Sequence, residues 1–266
     1  MSNVQSPNFE IEKNYWDKGF VVIGVDDPAQ NLPRAGDLQP RAREGRLCGA
    51  GVGRPDFEIE KIFWRKGYVV VGVDEVGRGA VAGPVVAAAA AIKCTMYNVQ
   101  CIKKIEKLGI DDSKKLSRNK REELTPLIKK YFYWGIGEAS ALEINKFGIV
   151  KATGLAMKRS LRDLRIKKTI ILIDGRHVKG IGHQEAIVKG DQKSISIAAA
   201  SIIAKVYRDG LMRDLSGKYP GYGFESHVGY GTKKHVEMIK KLGVSKMHRT
   251  MFVRSLLKTS SRRGFN

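Results

Sequence analysis

After residue 54, the pattern of apolar and polar residues alternates between runs typical of strands and spacing typical of helices. Short apolar runs that are typical of buried strands occur at 68–74, 84–93, 131–139, 169–173 and 186–188. Apolar residues spaced as on one face of a helix occur at 117–130, 141–164, 197–215 and 233–242. Strands that alternate with helices predict an α/β domain, and the last two segments give it a helical C-terminal part.

The first 54 residues do not share this pattern. Residues 7–27 and 55–75 are identical at 14 of 21 positions, so part of the chain has been duplicated. The copies then diverge, because residues 28–54 contain three Pro, five Gly and five Arg and have no apolar period, as linkers do. We predict a poorly ordered part at 1–54, a folded domain at 55–255 and a basic tail at 256–266.

The net charge of +21 comes from 48 Lys and Arg against 27 Asp and Glu. Residues 1–54 hold seven basic and seven acidic side chains, so the whole excess lies on 55–266. Such an excess favours a polyanionic partner, nucleic acid first, although a merely basic surface is the alternative.

Other features of the sequence bear on the compartment. No apolar run reaches the roughly 18 residues of a membrane span, and the N-terminus lacks the order of a signal peptide. The three cysteines, Cys48, Cys94 and Cys101, have no metal-binding spacing. We therefore expect a cytoplasmic protein with reduced cysteines and no membrane association.

Acidic residues follow three of the predicted strands. Asp74 and Glu75 end the first strand, Asp174 ends the fourth, and Asp191 follows the last. Ligand sites of α/β sheets collect where strands end. Carboxylates that converge there repel one another unless hard cations such as Mg²⁺ or Mn²⁺ lie between them. Taken singly, Asp174 or Asp191 is better interpreted as a turn or cap residue.

Three further segments suit contact with a nucleic acid. Gly77-Arg78-Gly79 would let backbone amides and a guanidinium approach a phosphate, although a plain tight turn is the alternative. Ser113 and Lys114 lie where a loop meets a helix. This position suits contact with a phosphate, but a solvated helix cap is an equally good interpretation. Residues 219–230 interleave aromatics with glycine next to basic residues, which favours stacking on bases, although Phe224 is better interpreted as packed under the loop.

In series these segments strongly resemble the ribonuclease HII family. The motifs that carry the resemblance, in the family's order, are GVDEVGRGAVAGPVVAAA (72–89), DDSKKLS (111–117), LIDG (172–175), VKGDQKSISIAAASIIAKVYRD (188–209), YPGYGFESHVGYGTKKH (219–235) and HRTMF (248–252). Each motif alone is weak evidence, but the series is specific and spans nearly all of 68–255. The resemblance makes 55–255 the expected catalytic domain.

The resemblance implies a ribonuclease H-like fold, with a central mixed sheet flanked by helices. It implies a monomeric endonuclease of DNA replication or repair that cuts the RNA strand of RNA–DNA hybrids and single ribonucleotides embedded in duplex DNA. Cleavage would be a two-metal-ion hydrolysis with Mg²⁺ or Mn²⁺, giving 3′-hydroxyl and 5′-phosphate ends.

The resemblance also assigns roles to individual residues. The metal-binding carboxylates fall on Asp74, Glu75, Asp174 and Asp191. The motif that senses the ribose 2′-hydroxyl, the group that distinguishes RNA from DNA, falls on Gly77, Arg78 and Gly79. The tyrosine that stacks at the RNA–DNA junction falls on Tyr230, and Asp209 is a further candidate for supporting the metal site.

The sequence departs from the family in two places. Ala80 stands where family members often have proline, with little expected effect on the metals. Residues 1–54 have no counterpart that the family needs, and they are too short and irregular for the extra domain of ribonuclease HIII. A non-catalytic nucleic-acid-binding protein and a junction resolvase on the same fold are the competing hypotheses. The intact acids argue against the former, and the motif series argues against the latter.

The duplicated segment leads to a first prediction. Asp26 and Asp27 imitate Asp74 and Glu75, but none of the later motifs follows them, so we expect them to bind no catalytic metal. Deletion of 1–54 should leave the rate of hybrid cleavage largely intact, as measured against the full chain under the same conditions. Loss of most of the activity would contradict this interpretation.

Overall fold

The computed structural model describes residues 53–94, 98–162, 164, 166 and 168–262. The predicted poorly ordered part lies outside the described residues apart from Gly53 and Arg54, and so do Cys48 and the last four residues of the predicted basic tail. The strands are β1 (Val69–Val76), β2 (Val85–Ile92), β3 (Phe132–Ala139), β4 (Thr169–Asp174) and β5 (Gln184–Ile187). The helices are α1 (Glu58–Trp64), α2 (Val99–Glu106), α3 (Arg118–Tyr131), α4 (Ala141–Phe147), α5 (Ile149–Arg162), α6 (Ile195–Lys218), α7 (Phe224–His227), α8 (Lys233–Leu242) and α9 (Thr250–Arg262).

The five strands form one mixed sheet in the order β3-β2-β1-β4-β5. The β1–β2 and β2–β3 pairs are antiparallel, whereas β1–β4 and β4–β5 are parallel. With helices packed on both faces, this confirms the expected ribonuclease H-like α/β architecture. The β1–β4 register pairs Val73 with Ile173. The next residue of each strand is an aspartate, so Asp74 and Asp174 lie side by side where the β1–β4 pairing ends.

Strand β2 is buried on both faces because successive side chains of a strand point in opposite directions. Ala88 and Ala90 belong to the apolar cluster that includes helix α6. Ala87, Ala89 and Ala91 belong to the cluster on the other face, which includes helix α5. The small alanine side chains allow both helices to lie close to the sheet.

Glycines allow the closest of these approaches. A Cβ atom on Gly137 of β3 would overlap the backbone oxygen of Ala156 in α5. A Cβ atom on Gly72 of β1 would overlap the backbone of Ser196 in α6. The two helices are thus seated against the sheet backbone itself.

The helical segment predicted at 141–164 is two helices rather than one. Gly148 adopts φ 78°, a left-handed conformation that ends α4. Ser140 and Glu143 form a capping box at the start of α4. The apolar spacing continues through the break, which is why the pattern did not reveal it. The short helices α1 and α2 were not predicted, and α9 extends into the predicted tail. None of the helices in the described part of the chain has the length and apolarity of a membrane span.

The prediction of reduced cysteines is wrong for one pair. Cys94, after β2, and Cys101, in α2, form a disulfide with their Cα atoms 6.5 Å apart. The two residues meet because α2 folds back beside the end of β2, a tertiary contact that their spacing of seven residues does not disclose.

The close approach of β3 and α5 yields a stability prediction. Gly137→Ala should lower the free energy of unfolding by about 1–3 kcal/mol, because the new methyl group must displace the α5 backbone. Chemical denaturation measures this as a lower midpoint at unchanged slope. Gly182→Ala is the control, since a Cβ atom there meets no atom within 4 Å. Equal midpoints for the two variants would contradict the proposed packing.

Candidate metal centre and substrate face

Three of the four predicted carboxylates converge at one edge of the sheet. Asp74 and Asp174 directly follow the last residues that pair the parallel strands β1 and β4. Asp191 lies on a 3-10 turn, Gly190–Gln192, between β5 and α6. One carboxylate oxygen from each of the three lies within 4.8 Å of the others. The group has the size of a metal-binding cluster.

Backbone amides and a serine hold these carboxylates in place. The backbone N–H of Glu75 donates to Asp74 Oδ1 at 2.7 Å, and Ser201 of α6 also hydrogen-bonds to Asp74. The backbone N–H of Gly190 donates to Asp174 Oδ1 at 2.7 Å. The turn that carries Asp191 is therefore anchored directly to its neighbour in the cluster.

Glu75, the fourth predicted carboxylate, lies beside the cluster. Its Oε1 accepts from Arg78 Nη1 at 3.1 Å, whereas its Oε2 is buried without a hydrogen-bond partner in the described structure. Glu75 and Asp174 both line a cleft of about 500 Å³, to which Arg78, Arg176 and His177 also contribute. This cleft gives a ligand access to the acidic edge of the sheet.

The electrostatics of the site disfavour bare carboxylates. Burial raises the pKa of Asp74 well above its ordinary value, and the charges of Glu75 and Asp174 raise it further. Burial also raises the pKa of Glu75, against the effect of Arg78. The pKa of Asp191 is likewise raised by burial, against the effect of Lys114. Positive charge beside these acidic groups favours their ionised forms, as Arg78 and Lys114 already do.

The donor set fits a hard divalent cation. Every candidate ligand atom is a carboxylate oxygen, which is what Mg²⁺ and Mn²⁺ prefer. The buried, unpartnered Oε2 of Glu75 is an acceptor that lacks a donor, and a cation would satisfy it. Asp74, Glu75, Asp174 and Asp191 are the residues that would hold the metal.

The segment with Ser113 and Lys114 lies against the same edge. Lys114 Nζ, on an exposed side chain, is 3.2 Å from Asp191 Oδ2. Burial lowers the pKa of Lys114, but the neighbouring carboxylates, Asp191 first and then Asp112 and Asp74, together raise it above its ordinary value. Ser113 is buried, and its hydroxyl lies 2.9 Å from that of Ser201, the hydrogen-bond partner of Asp74. Ser113 thus approaches the cluster from its buried side, through Ser201, and Lys114 approaches it from the exposed side.

Asp209 lies outside the acidic cluster and supports this segment. Its carboxylate is 2.7 Å from Lys205 Nζ and 3.8 Å from Arg121. Arg121 in turn donates to the backbone oxygens of Ser113 and Leu116. Asp209 therefore acts on the loop before α3, and only indirectly on the carboxylates.

The remaining predicted residues form a second group next to the cleft. Gly77 adopts φ 85°, and a Cβ atom there would overlap the Arg208 side chain. A Cβ atom on Gly79 would lie 3.9 Å from the ring of Tyr230, which is 37% exposed. Arg208 lies 5.8 Å from the Tyr230 ring centre. The turn at 77–79 and Tyr230, predicted from distant motifs, are neighbours, and we call them together the recognition cradle.

One aromatic residue near the site behaves as predicted, whereas several others that build the site were not predicted individually. Phe224 is fully buried and packs with Tyr222, which agrees with its interpretation as a packing residue. Ser201 and Gly190 lie inside the motif at 188–209. That motif contributes to the family resemblance, but it assigns no role to either residue. Arg208 donates to the backbone oxygens of Pro84, Ala82 and Val228, contacts that no local pattern indicates.

The sequence matches a known family over most of the described chain. The family model for Ribonuclease HII matches residues 71–258. Ribonuclease HII of Fusobacterium nucleatum is 48% identical over 192 residues, which are 70% of this chain and 86% of that protein. Ribonuclease HII of Pelagibacter ubique is 46% identical over 180 residues, 67% of this chain and 92% of that protein.

A solved structure supports the same relationship. The crystal structure of ribonuclease H2 from Pyrococcus horikoshii is 28% identical and superposes with a TM-score of 0.58, covering 71% of this chain and 97% of that one. Family model, sequence relatives and fold thus agree, and the resemblance inferred from the motif series is confirmed. The chain belongs to the ribonuclease HII family, whose members are metal-dependent endonucleases that cleave the RNA of RNA–DNA hybrids.

Proposed function

We propose that this protein cuts both RNA–DNA hybrids and single ribonucleotides embedded in duplex DNA, leaving 3′-hydroxyl and 5′-phosphate ends. The observation that carries the proposal is the convergence of Asp74, Asp174 and Asp191 at one edge of the sheet. Glu75 shares the cleft with Asp174, one member of this cluster. All four carboxylates come from one chain, which supports the proposed monomer.

The metal ions proposed here are two Mg²⁺ or Mn²⁺ ions. When bound, such ions activate a water molecule and stabilise the leaving oxygen of the phosphodiester. The protein holds the carboxylates in a fixed arrangement, two at strand ends and one on the short turn anchored to Asp174. Rigid elements of this kind keep reacting groups within the tolerance that catalysis requires.

Cations at the rim of the site suit the phosphates of the substrate. Arg78 and Lys114 project from the two segments that flank the carboxylates, and each is paired with one of them. An incoming phosphate competes for these side chains, so we infer that they exchange a carboxylate partner for the nucleic acid. The 77–79 turn would then contact the ribose 2′-hydroxyl, with the Tyr230 ring stacked at the junction.

The proposed activity is tested on a duplex with one embedded ribonucleotide, with Mg²⁺ or Mn²⁺ present. We expect a cut on the 5′ side of the ribonucleotide. Asp74→Asn should lower the rate by on the order of 10²–10³-fold or more, the scale for losing one group that stabilises the transition state. Asp214→Asn, which removes an exposed carboxylate outside the cluster, is the matched control. Binding without cutting by the unaltered protein would favour a non-catalytic nucleic-acid-binding protein.

The buried charges lead to a prediction for the metal-free protein. Because the native pKa of Asp74 is raised, the folded state holds a proton that the unfolded chain releases near pH 3.9, roughly the ordinary value. The free energy of unfolding therefore falls as the pH rises from that value through the raised one. Asp74→Asn removes this penalty and should raise the melting temperature at pH 7, by roughly 2–4 °C for each kcal/mol recovered.

The same experiment tests the metal site. The gain from Asp74→Asn should vanish near pH 3, where both proteins are neutral at this position. Added Mn²⁺ should raise the melting temperature of the unaltered protein with concentration and that of the variant much less. Asp214→Asn again serves as the control. A variant that is less stable than the parent without metal would contradict the assignment of charge repulsion.

A further inference from the structure

His248 and Arg249 are buried residues with no role in the metal centre. They precede α9 and are 1% and 0% exposed. His248 forms an isolated antiparallel bridge with Ala82, so the segment lies beside the loop that joins β1 to β2. In the sequence they belong to the motif HRTMF (248–252), which assigns no role to either residue.

Arg249 fixes the loop that begins with the 77–79 turn. Its Nη1 donates to the backbone oxygen of Arg78 at 2.9 Å, and its Nε donates to that of Gly83 at 2.9 Å. Its backbone N–H donates to the oxygen of Val81 at 2.8 Å. A guanidinium with its donors in a rigid fork suits this role, because the loop offers several carbonyl oxygens at fixed spacing.

His248 connects to the other half of the recognition cradle through His235. The backbone N–H of Ser245 donates to His248 Nδ1 at 2.9 Å, so this nitrogen is an acceptor and the proton of the neutral ring is on Nε2. His248 Nε2 lies 3.2 Å from His235 Nε2 and donates to it. His235 must then carry its own proton on Nδ1, which lies 2.9 Å from the backbone oxygen of Tyr230.

The chain of hydrogen bonds runs in one direction only if both rings are neutral. Burial lowers the pKa of His235 to about 4 and also lowers that of His248. His227 and Phe224 pack around the pair, with the ring of His227 stacked on His235 at 4.1 Å between centres. At neutral pH each nitrogen of the two rings therefore has a defined role.

We propose that His248 and Arg249 are positioning residues that hold the two halves of the recognition cradle at a fixed separation, and that the half held by His248 sets selectivity for an embedded ribonucleotide. One half, the 77–79 turn, is held by Arg249, and the other, Tyr230, is held through His248 and His235. Among the residues that the structure describes, none of their hydrogen bonds reaches the acidic cluster. The proposal rests on the proposed function, because it assigns these residues to the reading of its substrate.

A double-mutant cycle tests whether His248 acts through Tyr230. His248→Phe keeps an aromatic ring but cannot donate. On a duplex with one embedded ribonucleotide it should lower kcat/KM by about 10-fold or more, since small misplacements of a positioned group can cost up to about 10²-fold. Combined with Tyr230→Ala, it should add little to the effect of Tyr230→Ala alone. Effects that multiply in full would overturn the proposal.

The choice of substrate separates the two residues. Because Tyr230 is the junction residue, His248→Phe should impair the embedded ribonucleotide more than a uniform RNA–DNA hybrid. Arg249→Lys keeps the charge but loses the fork, so it should impair both substrates. Ser160→Ala, which removes a buried hydrogen bond to Met157 in α5, is the control for general destabilisation. If His248→Phe slows both substrates equally, as an unfolding effect would, the proposal is wrong.

The hydrogen-bond chain can be observed without cleavage. Long-range ¹H–¹⁵N spectra of the full chain with labelled histidine should show His248 protonated on Nε2 and His235 on Nδ1 at neutral pH. The ring signals of Tyr230 should shift in His248→Phe. The opposite tautomers, or a charged ring, would overturn the proposed chain. Failure of the unaltered protein to cut any ribonucleotide-containing duplex would instead refute the proposed function. The spectra would still show whether the hydrogen bonds from His248 through His235 to Tyr230 exist.

Discussion

The parallel pairing of β1 with β4 is the constraint on which the site depends. It places Val73 beside Ile173, and so it forces Asp74 and Asp174 together at one edge of the sheet. The two carboxylates oppose folding at this distance, because the charge of Asp174 adds to the burial that already raises the pKa of Asp74. The surrounding structure must supply enough packing and hydrogen bonding to hold them there. The alanines of β2 and the glycines at 72 and 137 serve this purpose by seating a helix tightly on each face.

Helix α6 links this packing to the site, and its first turn is held by a buried acid. Glu60 of α1 accepts from the Ser194 hydroxyl at 2.7 Å and from the Ser196 backbone at 2.9 Å. A carboxylate at this position satisfies free amides and complements the helix dipole. The same helix carries Ser201, which bonds to Asp74. The second copy of the duplicated segment therefore contributes a helix anchor as well as the carboxylate pair.

The parts of the structure that the sequence predicted are those that local patterns encode. Strands β1 and β4 follow from apolar runs closed by an acid, although β1 runs two residues past Asp74 to Val76. Helix α8 follows from its apolar spacing. The break at Gly148 escaped because apolar residues continue on both sides of it. The disulfide and the contacts of Arg249 escaped for another reason. Arg249 reaches residues about 170 positions away in sequence, and such contacts exist only once the sheet and its helices are assembled.

The two halves of the site are held by different means, and this has a functional consequence. The carboxylates are fixed by strand pairing and short backbone hydrogen bonds, which tolerate little movement. The recognition cradle lies on loops that are tied to buried basic side chains, Arg208 and Arg249, through backbone oxygens. Bonds to backbone oxygens do not depend on which side chains the loops carry. Substitutions in these loops that leave Gly77 in place should therefore alter the proposed reading of the nucleotide while the carboxylates keep their geometry.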